Sequence, residues 1–373
     1  MNLEIKQNIL LENLNYVIKG ISTKNIIPIL NCIKFELTNE GLYLISTDNE
    51  ITIKTFIEKS KISKIEEIGT IVVSGKYIYE IIRKLPNEII KIEEIIDNKI
   101  NISTNNSSFN LNCNNSDEYP NIDLNDSKTP IKINKKIFKT LVKQTSFATS
   151  TQENRPEFTG INIIINKNKL ECTATDSYRL AKKFIELDEE IIDNVNIIIP
   201  NKNLVELEKM LIDNEDLLEI HIFNNKVLFK FDNIIIMTRL INGNYPDTNK
   251  LIPTEFNLKI PINLINLYNS IDRASLLTSE YDKNTIKLEL KNNIITISSN
   301  IPEIGYVEEK IEIEEKINEN FKLSFSSKYM LDALKVFDCE KVILNFNGEE
   351  KPIIIKNIID DGIIQLILPV KTY

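Results

Sequence analysis

The amino-acid sequence predicts an α+β chain built from three copies of one unit. Three observations carry this: a helix with a fixed lysine near its start recurs at one interval, an alternating strand that ends in a turn recurs with it, and a Tyr-Pro turn repeats at the same period. At 373 residues the chain is too long for one typical domain, and 42% hydrophobic content is enough for a large core. The interval sets unit boundaries at 1–127, 128–253 and 254–373.

Within each unit the first element is an amphipathic helix, read over 10–18, 137–142 and 264–271, with Leu14, Leu141 and Leu267 spaced by 127 and 126 residues. Alternating strands follow at 42–48, 170–176 and 294–300 and run into Asp48, Asp176 and Asn300. A second helix covers 75–85, 201–211 and 327–337, where Lys76, Lys202 and Lys328 fall 126 residues apart. The residue before each lysine, Gly75, Asn201 or Ser327, is small or polar and is expected to cap the helix. The acid four residues after it, Glu80, Glu206 or Asp332, is expected to form an i,i+4 pair. Tyr119-Pro120 returns as Tyr245-Pro246, again 126 residues on. Branched runs such as 161–165 and 353–355 suit a pleated, half-buried surface and read as strands, and the turns at 39–41 and 347–348 mark hairpins.

Several function classes are excluded. Cys32, Cys113, Cys172 and Cys339 lie far apart without a C-x-x-C pair, so no zinc or redox site is expected, and dispersed thiols suit a reducing cytoplasm. No basic leader opens the chain and no stretch nears the ~20 apolar residues of a membrane span, so no membrane partner is expected. The single histidine, His221, lies in an alternating run and reads as a strand residue on a solvated face rather than a general base. Phosphate-binding glycine loops, H-E-x-x-H and G-x-S-x-G are all missing, and the acid pairs Glu66-Glu67 and Asp360-Asp361 sit in polar surface stretches. No enzyme activity, no cofactor and no metal are expected.

Charge is unevenly placed. The whole chain carries −9, yet the six helical windows 10–24, 75–85, 135–147, 201–211, 263–276 and 327–337 together carry +8, which leaves −17 elsewhere. Basic helices on an acidic body suit a phosphate backbone held on one face and repelled from the rest. Base-reading signatures are missing, so any nucleic acid bound is held without regard to its sequence.

Four stretches are more specific: Pro28-Ile29-Leu30 after the first helix, Thr175-Asp176-Ser177-Tyr178-Arg179-Leu180-Ala181, Gly243-Asn244-Tyr245-Pro246-Asp247, and Ile367-Leu368-Pro369-Val370-Lys371-Thr372-Tyr373. With them, and from Met1 to Tyr373, the chain resembles the bacterial DNA polymerase III beta subunit family, the sliding clamps. The resemblance implies three clamp domains, each with two helices packed on antiparallel sheets, in a head-to-tail homodimeric ring around duplex DNA. It implies a processivity factor whose partners are the replicative polymerase catalytic subunit, the clamp loader and repair proteins with a clamp-binding motif.

Residue by residue, the resemblance implies DNA contact at Lys24, Gln152 and Lys202, and the charge pattern adds Lys76, Lys84, Lys139, Lys143 and Lys328. The implied partner-peptide groove comprises Arg155, Phe158, Thr175, Tyr178, Arg179, Leu180, Pro246, Leu251, Tyr329, Leu366, Leu368, Pro369, Val370 and Lys371. Here Ser177 and Tyr178 replace a frequent Gly and His of the family, and Val370 a Met of some members. On the residues alone, Tyr178 and Leu180 read as alternating strand residues and the C-terminal run as an edge strand. The implied dimer seam sets Phe109 and Leu111 of one copy against Leu276 and Leu277 of the other. The alternative is a peptide-binding repeat scaffold that does not encircle DNA, which the acidic total favours.

Overall fold

The computed structural model describes residues 1–21, 27–95, 98–314, 317 and 319–371, apart from the side chain of Asp193. Six α-helices lie among the described residues: α1 (Gln7–Val17), α2 (Gly75–Lys84), α3 (Lys135–Thr145), α4 (Asn201–Met210), α5 (Leu264–Ser275) and α6 (Ser327–Leu334). Each falls on a predicted helix. The chain forms two compact units, one of Met1–Phe138 with Lys209–Leu240 and the other of Lys139–Glu208 with Ile241–Tyr373.

In the first unit, α1 buries Leu10, Leu14 and Val17, and α2 buries Ile78 and Ile82, while Lys76, Arg83 and Lys84 stay exposed. Such one-sided burial is what the helical spacing of apolar residues requires. The strands form one antiparallel sheet in which Ile51–Glu58 pairs with Ile234–Arg239, joining strands from distant parts of the sequence.

In the second unit a six-stranded sheet runs in the order Gly160–Thr175, Arg179–Pro200, Ile363–Ile367, Ile353–Asn357, Lys341–Phe346 and Leu258–Asn263. A four-stranded sheet runs Gly305–Glu312, Ile294–Ile301, Thr285–Lys291 and Phe321–Ser326. Leu267 and Ile271 of α5 and Met330 of α6 enter a core with Ile286, Phe325 and Leu344 from both sheets. Asn263 caps α5, its side-chain oxygen accepting from the Asn266 amide at 3.0 Å.

One junction occurs twice. Residues 51–55, the start of the strand after the Asp48 turn, pair with 238–234. Residues 179–183, the start of the strand after the Asp176 turn, pair with 367–363. The same five-residue ladder thus binds the turn-proximal end of one repeat's strand to the last strand of the next repeat.

Three local expectations fail. Gly75, Asn201 and Ser327 are first helical residues rather than caps, because the chain enters each helix directly from an extended strand end; Ser74 and Ser326 hold the cap positions of α2 and α6 without a side-chain bond. A Cβ at Gly75 would lie 2.2 Å from Ile21 Cδ1, so that side chain would have to shift, while Ser327 donates to the Asn284 carbonyl and Asn201 to Thr149 Oγ1. The lysine-to-acid pairs of α2 and α6 give way to better partners: Glu80 takes Arg83 at 2.7 Å, and Asp332 takes Arg179. His221 is a strand residue but only 3% exposed, because the segment at Lys128 covers it and brings that carbonyl 2.8 Å from Nδ1.

Candidate peptide groove and basic helix faces

The groove residues are placed by the hairpin of strands Gly160–Thr175 and Arg179–Pro200. Its turn is tight: Ser177 adopts φ 78°, and Asp176 Oδ1 accepts from the Tyr178 and Arg179 amides at 2.9 and 3.0 Å. Thr175 Oγ1 donates to the Arg179 carbonyl at 2.6 Å and closes the loop from the other side. A short aspartate suits this job because it can bond its own backbone two and three residues on. Tyr178 is therefore a turn residue and not a strand residue, lifted to 58% exposure.

Arg179 is the hinge of the arrangement. Its guanidinium bonds Asp176 Oδ2 at 3.0 Å and Asp332 Oδ2 at 2.8 Å, and lies 4.5 Å from the Tyr329 ring centroid and 5.4 Å from that of Phe147. Tyr178 stacks against Tyr329 with centroids 6.4 Å apart and planes 23° from parallel. Burial raises the Tyr329 hydroxyl pKa above its ordinary value, with the Asp176 carboxylate adding to the rise.

Below the tyrosines, Thr175, Leu180, Leu366 and Ile354 stand opposite one another across four strands. Leu180, Ile354 and Leu366 form a buried apolar cluster, against which Ile252, Phe256 and Ile364 pack. The Leu368 amide donates to the Tyr178 carbonyl at 2.9 Å, and the Val370 amide to the Ser324 carbonyl at 2.7 Å, so the C-terminal run is strapped down past its strand. That strand, Ile363–Ile367, is paired on both sides, which corrects the edge-strand reading: its partner lies some 180 residues earlier in the chain.

Leu251 is 54% exposed at the end of a 3-10 turn, and Leu368 is 38% exposed. Phe158 is buried under the Arg155 guanidinium, 4.2 Å from its ring centroid, and meets Tyr245 edge-on at 5.8 Å. Pro246 follows Tyr245 and is exposed, Pro369 lies between Leu368 and Val370, and the Lys371 ammonium stands 3.8 Å from Glu350. Ile252 and Phe256 escaped sequence reasoning because they sit in a connecting segment without alternation, although their Tyr-Pro neighbour repeats.

Among the DNA candidates, Lys76 and Lys84 on α2, Lys143 on α3, Lys202 on α4 and Lys328 on α6 are exposed, as is Gln152 beyond α3. Lys139 is half-buried, with Glu208 Oε1 4.0 Å from its ammonium. Lys24 lies outside the described residues. Of the seam candidates, Leu276 is 78% and Phe109 39% exposed, and Leu111 and Leu277 are half-buried.

Three family models match along the chain: the N-terminal domain of the DNA polymerase III beta subunit over residues 1–123, its central domain over 132–247 and its C-terminal domain over 249–371. The chain belongs to the DNA polymerase III beta subunit family. The Beta sliding clamp of Staphylococcus aureus is 40% identical over 377 residues, covering 100% of both chains. A crystal structure of the DNA polymerase sliding clamp from Bacillus subtilis superimposes with a TM-score of 0.96 at 40% identity, again over 100% of both chains. A DNA polymerase III beta chain from Streptococcus pneumoniae gives 0.96 at 35% identity over 100% of both. The fold is that of bacterial sliding clamps, and the family's role is that of a DNA polymerase processivity factor.

Proposed function

We propose that two copies of this chain join head to tail into a ring that encircles duplex DNA, holds its backbone without reading sequence, and tethers the replicative polymerase through the groove built on Arg179. The clamp loader and repair proteins would dock in the same groove. Three repeats at 1–127, 128–253 and 254–373 in each copy make six around the ring. The chain performs no reaction; ATP is consumed by the loader, and the ring works in the cytoplasm where replication occurs.

The observation that carries this reading is the twice-used junction and its vacant third instance. Strand Gly305–Glu312 follows the third repeat's turn, as 51–58 and 179–200 follow theirs, and it is an end strand paired only to Ile294–Ile301 among the described residues. Strand Ser108–Asn114 is the first repeat's counterpart of 234–239 and 363–367, and along 108–112 it pairs on one side only among the described residues. Open edges of this kind invite a second chain, and a head-to-tail contact closes into a ring when its rotation is right.

The aromatic residues support the same closure. Tyr329 of α6 is covered by Tyr178 and Arg179, whereas its counterpart Tyr77 on α2 is 58% exposed beside a cleft of about 300 Å³ lined by Val73, Leu111 and Asn110. The counterpart of Arg179 is Tyr306, also 58% exposed. Burying Leu276 contributes about 1.5–3 kcal/mol, and Phe109, Leu111 and Leu277, already partly buried, contribute less each, which suits a closed seam that a loader can still open.

The test is topological. The chain is loaded by its loader onto a nicked circular plasmid and freed of loader by gel filtration. Retention on the circle, followed by release when a restriction enzyme linearises it, is expected. Retention that survives linearisation, or none on the circle, would leave the peptide-binding scaffold, favoured by the −9 total charge, as the better reading.

A further inference from the structure

The face that carries Leu180 and Leu366 does not end with them. Residues two apart on a strand share a face, about 7 Å from each other. One such step from the Leu180, Leu366, Ile354 row brings Lys182, Ile364 and Lys356 opposite one another on the same strands. There the structure holds a cleft of about 380 Å³ whose walls include Lys169, Lys182, Lys356, Glu171, Phe184 and Ile252. Ile252 and Ile364 line this cleft and also pack on the leucine cluster, so groove and cleft are continuous.

The cleft is basic in an acidic protein, with three lysines against one glutamate in its walls. The buried Lys182 is already satisfied, its ammonium 2.7 Å from both Glu171 Oε1 and Asn249 Oδ1. The other two lysines are held by aromatic rings instead: Lys169 Nζ stands 3.9 Å from the Phe184 centroid and Lys356 Nζ 5.3 Å from that of Phe256. Among the described residues no carboxylate lies within 4.0 Å of either ammonium. Ring contacts of this kind position a cation without neutralising it, leaving its charge for a ligand.

We propose that this cleft receives an acidic side chain of the same peptide whose apolar anchor fills the groove, so that the partners of this chain carry Asp or Glu beside their anchor. The proposal rests on the groove reading above. A tethered carboxylate suits the place better than a free anion does, because part of the wall, Phe184, Ile252, Pro253 and Ile364, is apolar, and the cleft is continuous with the anchor site and within two residues' reach of it. The pairing also steers acidic partners to one spot on a body that carries −17 outside its helical windows.

The probes are three fluorescein-labelled decapeptides that share one apolar anchor of two leucines and a phenylalanine: one flanked by Asp-Glu-Asp on the N-terminal side, one by Asp-Glu-Asp on the C-terminal side, and one by Ser-Gln-Ser on both. Anisotropy titrations use the full chain, the K169Q/K356Q variant and the R179A variant. One acidic peptide is expected to bind the wild type roughly 3- to 10-fold more tightly than the neutral one at low salt. That ratio is expected to fall to about 1 in K169Q/K356Q and to shrink at high salt, with the neutral peptide unaffected by the double substitution. Equal affinities in the wild type, or a preference that survives K169Q/K356Q, would overturn the cleft proposal while anchor binding lost in R179A keeps the groove reading intact. Inorganic phosphate at matched ionic strength is expected to weaken the preference too, because it competes for the same two ammoniums, and a preference that phosphate leaves untouched would overturn the proposal. If no peptide binds the wild type, the groove reading falls and the cleft proposal falls with it.

Discussion

Arg179 and Asp332 are 153 residues apart in sequence and joined by a 2.8 Å bond that ties the Asp176 turn to α6. The Arg179 side chain is only 10% exposed, and its other bond, to Asp176, fixes the same turn that raises Tyr178. Charge-assisted bonds at low exposure are worth more than surface pairs. Arg179→Ala is expected to cost about 1.5–3 kcal/mol by leaving two carboxylates without their cation. Asp332→Asn is expected to cost about 1 kcal/mol, because Arg179 keeps Asp176. Urea unfolding of both variants checks the order, and an Asp332→Asn loss that matched Arg179→Ala would mean that the Asp176 bond adds nothing.

That pair also marks where sequence reading stops. The helices were legible because apolar residues at 3.6-residue spacing and the lysines 76, 202 and 328 repeat in one copy after another. Asp332 shares that local spacing with Lys328, yet it turns to Arg179, and no local pattern reports a partner brought by the fold. The run from Ile367 carries Pro369 and Lys371 and reads as an edge, but the strand it leaves, Ile363–Ile367, takes one of its two neighbours from residues 179–183, far back in the sequence. His221 alternates like a solvated residue and is buried because another segment happens to cross it. The candidate groove is suggested only by family likeness, since its floor is shared between strands and the unpatterned segment carrying Ile252 and Phe256.

The seam prediction follows from exposure. Leu276, at 78%, can take a charge in a single copy without stress, but not inside an apolar seam. The wild type is expected to scatter light as a dimer of about 86 kDa, twice the 43.0 kDa chain, and Leu276→Asp/Leu277→Asp as a monomer. Far-UV circular dichroism should stay unchanged in the variant. A dimeric variant would place the seam elsewhere.

The basic helices make a prediction about salt. Each lysine that neutralises a phosphate contributes about one unit to the slope of log affinity against log salt. Replacing Lys76, Lys84, Lys143 and Lys328 with Gln is expected to flatten that slope on a short duplex. Replacing Lys59 and Lys61, exposed on a 3-10 turn, is expected to leave it nearly unchanged. Equal flattening by both sets would mean that the whole surface, rather than the helices, meets DNA.

The thiols give a pH prediction. Cys113 lies on the strand with the open edge, and burial pushes its thiol up from 9.0 to about 11, with the Glu94 carboxylate adding to the rise. Since the thiolate is the reactive form, about a hundredfold less of it exists near pH 8 than for a thiol at the ordinary value. Iodoacetamide labelling of Cys113, followed by peptide mass mapping, is therefore expected to be slow at pH 8 and to speed up about tenfold per unit until pH approaches 11. A rate that levels off near pH 9 would mean an ordinary thiol limited by access alone. The folded-state value lies above the unfolded one, so the unfolded chain gives up its proton first. The linked stability is thus complete below pH 9 and is lost as pH rises from there through 11.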